Sequence, residues 1–384
     1  MLFTQEQTMI RDTVRRAAAE RITPYAEKVD REDRWVPEYF DVIRELGLLG
    51  MAVPAVSGGQ QSDLVSQCIV MEELFGASAA AGLMVSATWA CANTIARRPS
   101  AAGGRFLERI ASGACMGSYC LSEPNAGSDA ANIGTVARRD GDSYVINGVK
   151  CWITNGGDSG VYVVLATVEP GSRSRGSVCF VMDGETPGLA ATRFDDKMGT
   201  RGARLAEMTL TDVRVPAAQR IGEEGEGMRI VMESQNVSRL YMAAAAVGLA
   251  QAALAHSISY AKERVQFGKR IAEFQLVQAL LADMATQTEA ARLVTYDTAQ
   301  LIDANPNAGG GAEGTHVRKM AAIAKYLTSD VAMKVTSDAV QVHGAYGYLR
   351  NGPVERLMRD AKIFQIFAGT NQIQQLQIAR ELLH

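Results

Sequence analysis

Apolar and polar residues follow a helical period at both ends of the chain and a strand period between them. Tyr39, Val42, Ile43 and Leu46 recur every three or four positions, which places them on one face of a helix. A Gly-containing break at 56–59 precedes a second such run over 64–75. The small-residue stretch 77–94 predicts a buried, closely packed helix, so residues 1–115 form a helical domain. From 116 the period shortens. Runs at 135–139 and 143–147 flank Asp140-Gly141-Asp142, a hairpin turn, and further runs follow at 160–166, 178–182 and 206–215. Punctuated by Gly, Pro and Asp, residues 116–223 predict an antiparallel β domain. After 222–227 the helical pattern returns over 228–265, 271–303, 316–342 and 353–383, with a Gly-rich loop at 305–314. Helices of this length bury their apolar stripes best against one another, so 224–384 predicts a four-helix bundle. The fold class is α+β, mostly α.

Composition narrows the function. Of 384 residues, 47% are hydrophobic and 21% charged, as in ordinary globular proteins, and a net charge of −3 gives no footprint for nucleic acid. No apolar run reaches the roughly 18–20 residues a transmembrane helix needs. The first residues mix acids and bases without an apolar signal core. Six cysteines without a CxxC pair and only four histidines support neither a disulfide framework nor a metal site. These features predict a reduced, cytoplasmic protein with no membrane partner. Walker A, strand-borne GxGxxG and GxSxG patterns are absent.

Five segments at the domain seams carry the candidate chemistry. In 119–129, small, hydroxyl-bearing and Gly residues let a backbone approach a flat ligand, although a β-domain entry loop has the same composition. In 150–156, Trp152 near Thr154 suits covering an aromatic ring and bonding its edge; an isolated Trp more often packs in a core. Segment 261–269 also reads as a basic helix end. Segments 341–348 and 358–373 also read as helix ends followed by Gly-containing turns.

In this order and spacing the five segments resemble the acyl-CoA dehydrogenase family, nearest its medium- and short-chain members, over essentially the whole chain. The resemblance implies that family's fold: an N-terminal helical domain, a middle antiparallel β domain and a C-terminal four-helix bundle. It also implies a homotetramer arranged as a dimer of dimers. It further implies FAD, an acyl-CoA or acyl-carrier-protein thioester as substrate, and an electron-transfer flavoprotein as a partner. FAD contacts would come from Tyr119, Cys120, Leu121, Ser122, Gly127, Ser128, Trp152, Ile153 and Thr154. Arg264, Gln266, Phe267 and Gln275 would reach the FAD of a neighbouring subunit. Gln341, Val342, His343, Gly344, Ala345, Thr370, Asn371 and Gln372 would meet its adenosine diphosphate part. Ala345 stands where the family usually has Gly, a change expected to crowd that approach. The substrate would meet Ser128, Asn236, Val237, Ser238, Arg239, Gly369 and Arg380, and the two arginines lean towards CoA. The floor of the acyl pocket would fall near 84–94, where small residues open it and Trp89 closes it.

Family members remove an α-proton with a carboxylate while the β-hydrogen leaves as hydride to flavin N5. Their Glu stands immediately before the Gly-Thr of the last segment, or immediately before the Arg on the long helix. In this chain those positions are Ala368 and Ser238, neither of them a base near neutral pH. The readings are a replacement made to trap substrate, a base elsewhere in the pocket or on the substrate, oxidase or oxygenase chemistry, and a paralogue that binds without turnover. Loss of a general base commonly costs ~10²–10⁴ in rate. Tyr241, one turn beyond Ser238, and His343 are the remaining titratable candidates. Ala368 keeps its backbone N–H, so thioester polarisation survives the change.

Overall fold

A computed structural model describes residues 3–305 and 311–383. Six helices build the first third: α1 Gln5–Arg21, α2 Ala26–Glu32, α3 Pro37–Glu45, α4 Leu64–Ala77, α5 Ala79–Ala96 and α6 Ala101–Ala111. Their starts follow local chemistry. Thr4 and Gln7 form a capping box on α1, Pro37 opens α3, and Asp63 accepts from the Ser66 N–H at 2.7 Å to cap α4. Tyr39, Val42 and Ile43 are buried as their spacing predicts, while Leu46 falls just past the helix end.

Eight strands follow: β1 Gly117–Cys120, β2 Val136–Asp140, β3 Ser143–Thr154, β4 Val161–Thr167, β5 Ser177–Asp183, β6 Leu189–Phe194, β7 Leu205–Pro216 and β8 Arg220–Ile221. They form one sheet in the order β6-β7-β3-β2-β4-β5-β8, with β1 added alongside β4. Pairing is antiparallel throughout the main path except for a single β2–β4 contact, and β1 joins β4 in parallel. The predicted hairpin is there: Asp140 pairs with Ser143 across Gly141 and Asp142.

The last third is helical: α7 Gly227–Glu263, α8 Gln275–Ala304, α9 Gly311–His343, α10 Pro353–Lys362 and α11 Asn371–Leu383. A small hairpin, β9 Val265–Gln266 and β10 Lys269–Arg270, separates α7 from α8, so α7 stops short of 265. Two further expectations need correction. The pattern over 353–383 is two helices, because the chain turns at Ala368 and Gly369, both with positive φ. In the expected loop at 305–314, residues 306–310 lie outside the described residues, and the chain is already helical at Gly311.

Gly248, inside α7, has a packing reason: a Cβ there would stand 2.2 Å from the Glu72 carbonyl of α4, so its absence lets the two backbones touch. The helices α5 and α7 are each long and apolar enough to cross a membrane, yet 78% and 67% of their apolar windows are buried inside the protein. They behave as core helices. Arg359 of α10 joins the regions. It donates to Asp30 at 2.8 and 2.7 Å, to Glu355 at 2.7 and 2.8 Å, and to the Met198 carbonyl at 3.0 Å. Its neighbour Asp360 is buried and accepts from the Thr200 N–H.

Candidate active site

The sheet delivers the first two predicted segments to one place. The Cys151 N–H donates to the Ser122 carbonyl at 3.0 Å, and Ser118 Oγ donates to the Thr154 carbonyl at 2.9 Å. Tyr119–Ser122 therefore lie beside Trp152–Thr154. Between Lys150 and Ile153 the β3–β7 register slips, and Trp152 adopts φ 57° with its side chain half exposed. The bulge turns the indole out of the sheet, where core packing does not explain it. Beneath it a buried ion pair pins the loop: Lys150 Nζ donates to Glu123 at 2.6 Å and to the Leu121 carbonyl at 3.3 Å. Glu123 also accepts from the Gly134 and Thr135 N–H groups at 2.6 and 3.0 Å. Burial alone would raise the Glu123 pKa; the lysine and these donors outweigh it and hold the carboxylate below its usual range.

The turn at 368–369 is the second part. Ala368 has φ 52° and Gly369 φ 86°, and a Cβ on Gly369 would meet Gln374 Nε2 at 2.5 Å. The Ala368 N–H donates to no acceptor among the described residues. Thr370 starts α11 by accepting from the Ile373 N–H at 3.2 Å. On α7, Ser238 Oγ turns back to the Ser234 carbonyl at 3.3 Å. Arg239 is buried, donates to Asn236 Oδ1 at 3.1 Å and leaves Nε without a partner; burial pushes it down to about 10. Arg239 also lowers the pKa of Lys325, whose Nζ donates to the Gly369 carbonyl at 2.7 Å, so the arginine lies near the turn.

A second group gathers where α7 meets the end of α9. Arg264 lies over the Tyr346 ring at 5.3 Å, and Phe267, fully out in solvent at the tip of the β9–β10 hairpin, stands edge-on to Phe274. Gln266, Gln275, Gln341, Gly344 and Ala345 are exposed around them. No hydrogen bond or aromatic contact links the two groups among the described residues. Ala345 lies in a 3-10 turn and has no positive φ, so the backbone there does not require glycine.

Several predicted contacts are limited by where the side chains go. Cys120 and Ile153 face the β-domain core, and Val237 and Val342 face the helical core, so only their main chains are available. Asn371 is buried, and its side chain is consumed by Lys325, Ser329 and Asp330. Gly127, Ser128, Gln372 and Arg380 are exposed. His343 bonds the Ala339 carbonyl at 2.8 Å and stacks on Tyr260; burial lowers its pKa, giving it a structural part. Tyr241 is no base. Its hydroxyl donates to Gln67 and accepts from Asn93 at 2.8 Å, and burial drives its pKa up. Against it lies Trp89, fully buried and bonded to the Leu48 carbonyl at 2.8 Å. Lys325 and Gln374 escaped notice in the sequence because a Lys or Gln in a helical run reads as a solvated face.

The geometry fits a bound flavin: an outward indole and, among the described residues, a buried Tyr119 hydroxyl without a partner and an unpaired N–H at the turn. Models of the acyl-CoA dehydrogenase N-terminal, middle and C-terminal domains match residues 4–114, 118–213 and 225–383. The chain belongs to the acyl-CoA dehydrogenase family. As a member of that family it is an FAD-dependent oxidoreductase that dehydrogenates acyl thioesters. It is 39% identical to an acyl-CoA dehydrogenase of Bacillus subtilis (strain 168), covering 100% of this chain and 99% of that one. Among solved structures it resembles butyryl-CoA dehydrogenase from Megasphaera elsdenii, with TM-score 0.94 and 36% identity over the whole of both chains. It also resembles the prolyl acyl carrier protein oxidase AnaB, with TM-score 0.92 and 31% identity over the whole of both chains.

Proposed function

We propose that this family member oxidises the Cα–Cβ bond of a short acyl thioester: the β-hydrogen leaves as hydride to FAD and the α-proton passes to solvent water, with the Ala368 N–H polarising the thioester carbonyl and no side chain at 368 or 238 acting as base. The Ala368 N–H, without an acceptor among the described residues and set in a left-handed turn at a position whose side chain is no carboxylate, carries this reading. When bound, FAD supplies the acceptor for the β-hydride. Trp152 and Thr154, from the bulge in β3, and Tyr119 to Ser122 are the residues that would hold it. A fixed N–H aimed at developing oxyanion charge acidifies the α-proton, typically by a factor of ~10²–10³ in rate per donor. Trp89, fully buried against Tyr241 where the floor of the acyl pocket is expected, supports a preference for short acyl groups.

Arg264, Gln266, Phe267 and Gln275 belong to a second FAD site, that of a neighbouring copy. The 94% exposed Phe267 and 87% exposed Leu276 suit burial in a homotetramer. An electron-transfer flavoprotein takes up the reducing equivalents. All six cysteines are free, in keeping with a reduced, cytoplasmic setting. The likeness to a carrier-protein oxidase favours a second reading, a carrier-bound substrate with oxygen as acceptor. Oxygen consumption without any added acceptor would distinguish it.

The test is anaerobic mixing of the FAD-loaded protein with acyl-CoAs and acyl-phosphopantetheine carriers of increasing length. We expect flavin bleaching with short acyl chains and formation of the matching enoyl thioester. No bleaching with any thioester, in the wild type or in Ala368→Glu, overturns the proposal.

A further inference from the structure

A non-glycine residue in the left-handed region costs roughly 1–2 kcal/mol, and such a conformation persists only where its surroundings impose it. Around Ala368 the imposing groups come from α9 and α11. Gln374 Nε2 donates to the Ala368 and Gly369 carbonyls at 3.2 and 3.1 Å. Lys325 Nζ donates to the Gly369 carbonyl at 2.7 Å and to Asn371 Oδ1 at 2.9 Å. Asn371 is fixed in turn by Asp330, which accepts from its Nδ2 at 2.7 Å. Both carbonyls of the turn are thus tied to neighbouring helices, while the Ala368 N–H has no acceptor among the described residues.

Lys325 is an expensive choice for this work. It is 1% exposed, and among the described residues no carboxylate bonds it. Burial, reinforced by nearby Arg239 and only partly opposed by Asp330, pushes its pKa down to about 7. A buried amine on a bare carbonyl is hard to explain by stability alone, since an apolar residue of similar shape would avoid the desolvation.

We propose that Lys325 is a positioning residue for the thioester reaction: by holding the Gly369 carbonyl it fixes the turn that presents the Ala368 N–H to the thioester oxygen. This rests on the acyl-thioester reading above. The test measures carbonyl polarisation directly, without turnover. A cinnamoyl-CoA or cinnamoyl-phosphopantetheine thioester is bound to the FAD-loaded protein, and the red shift of the ligand's own absorption is recorded. We expect a clear shift in the wild type, loss of most of it in Lys325→Met, and partial retention in Lys325→Arg. Flavin reduction by the best acyl thioester should slow by about 10–10²-fold in Lys325→Met, with FAD content unchanged. Should Lys325→Met fail to fold, Gln374→Leu removes the other hold on the same carbonyls and should lose the shift as well. Full shifts in the folded variants overturn the role given to Lys325 and leave the acyl-thioester reading standing. A wild type that binds neither thioester overturns both.

Discussion

Trp152 sits at φ 57° in a strand whose other residues are extended, a placement worth roughly 1–2 kcal/mol of strain. The slipped register between Lys150 and Ile153 produces it, and the outcome is a half-exposed indole where alternation alone would set a core residue. If that ring covers the flavin, Trp152→Ala should weaken FAD binding by about 2–10-fold, the worth of one aromatic contact. The stability of the FAD-free protein should stay within ~0.5 kcal/mol, since an exposed ring is removed. Fluorescence titration with FAD and denaturant unfolding of the apoprotein measure the two. Unchanged affinity would place the flavin elsewhere. Ala368 is the companion case: it too is left-handed, at φ 52°, and its N–H has no acceptor among the described residues.

At the scale of elements, the loop after β1 is held to β3 by the Lys150–Glu123 pair, which is almost completely buried. Removing one partner strands the other charge, a loss of roughly 3–5 kcal/mol. Lys150→Met should therefore lower the urea midpoint strongly, and adding Glu123→Gln should restore part of it. A single variant of near wild-type stability would show that the pair does not fasten the loop. Much of this level was legible in the sequence. The β2–β3 hairpin, the core strands and the helices around 64–77, 227–263 and 275–304 follow from apolar period and turn residues, because local propensity and burial agree there. The break in 353–383 was not legible. Ile363, Phe364 and Phe367 continue a helical apolar pattern, and bonds from Lys325 and Gln374, remote or off the apolar stripe, impose the turn. The five seam segments did not reveal which side chains turn inward. Cys120, Ile153, Val237 and Val342 point into cores that only the packed structure defines.

At the scale of the whole molecule, the three regions meet at Arg359 and Asp360. Asp360 is fully buried, and burial, partly offset by the Thr200 N–H, raises its pKa from the ordinary 3.8 to about 6. Between about pH 4 and 6 the unfolded chain has released this proton while the folded protein retains it. Its contribution to stability therefore falls as pH rises through that window. Asp360→Asn should flatten this slope in denaturant midpoints measured across the window, and an unchanged slope would assign it to other groups. The same junction, near the end of α10, is followed within ten residues by the 368–369 turn.

The proposed thioester site, with alanine at 368, is tested most directly by placing a carboxylate there. The rate of flavin reduction by a short acyl-CoA is measured anaerobically in the wild type and in Ala368→Glu, at saturating substrate. We expect the glutamate to raise the rate by ~10²–10⁴, the usual worth of a general base. A glutamate variant that binds FAD and thioester yet reduces the flavin no faster than the wild type would contradict it.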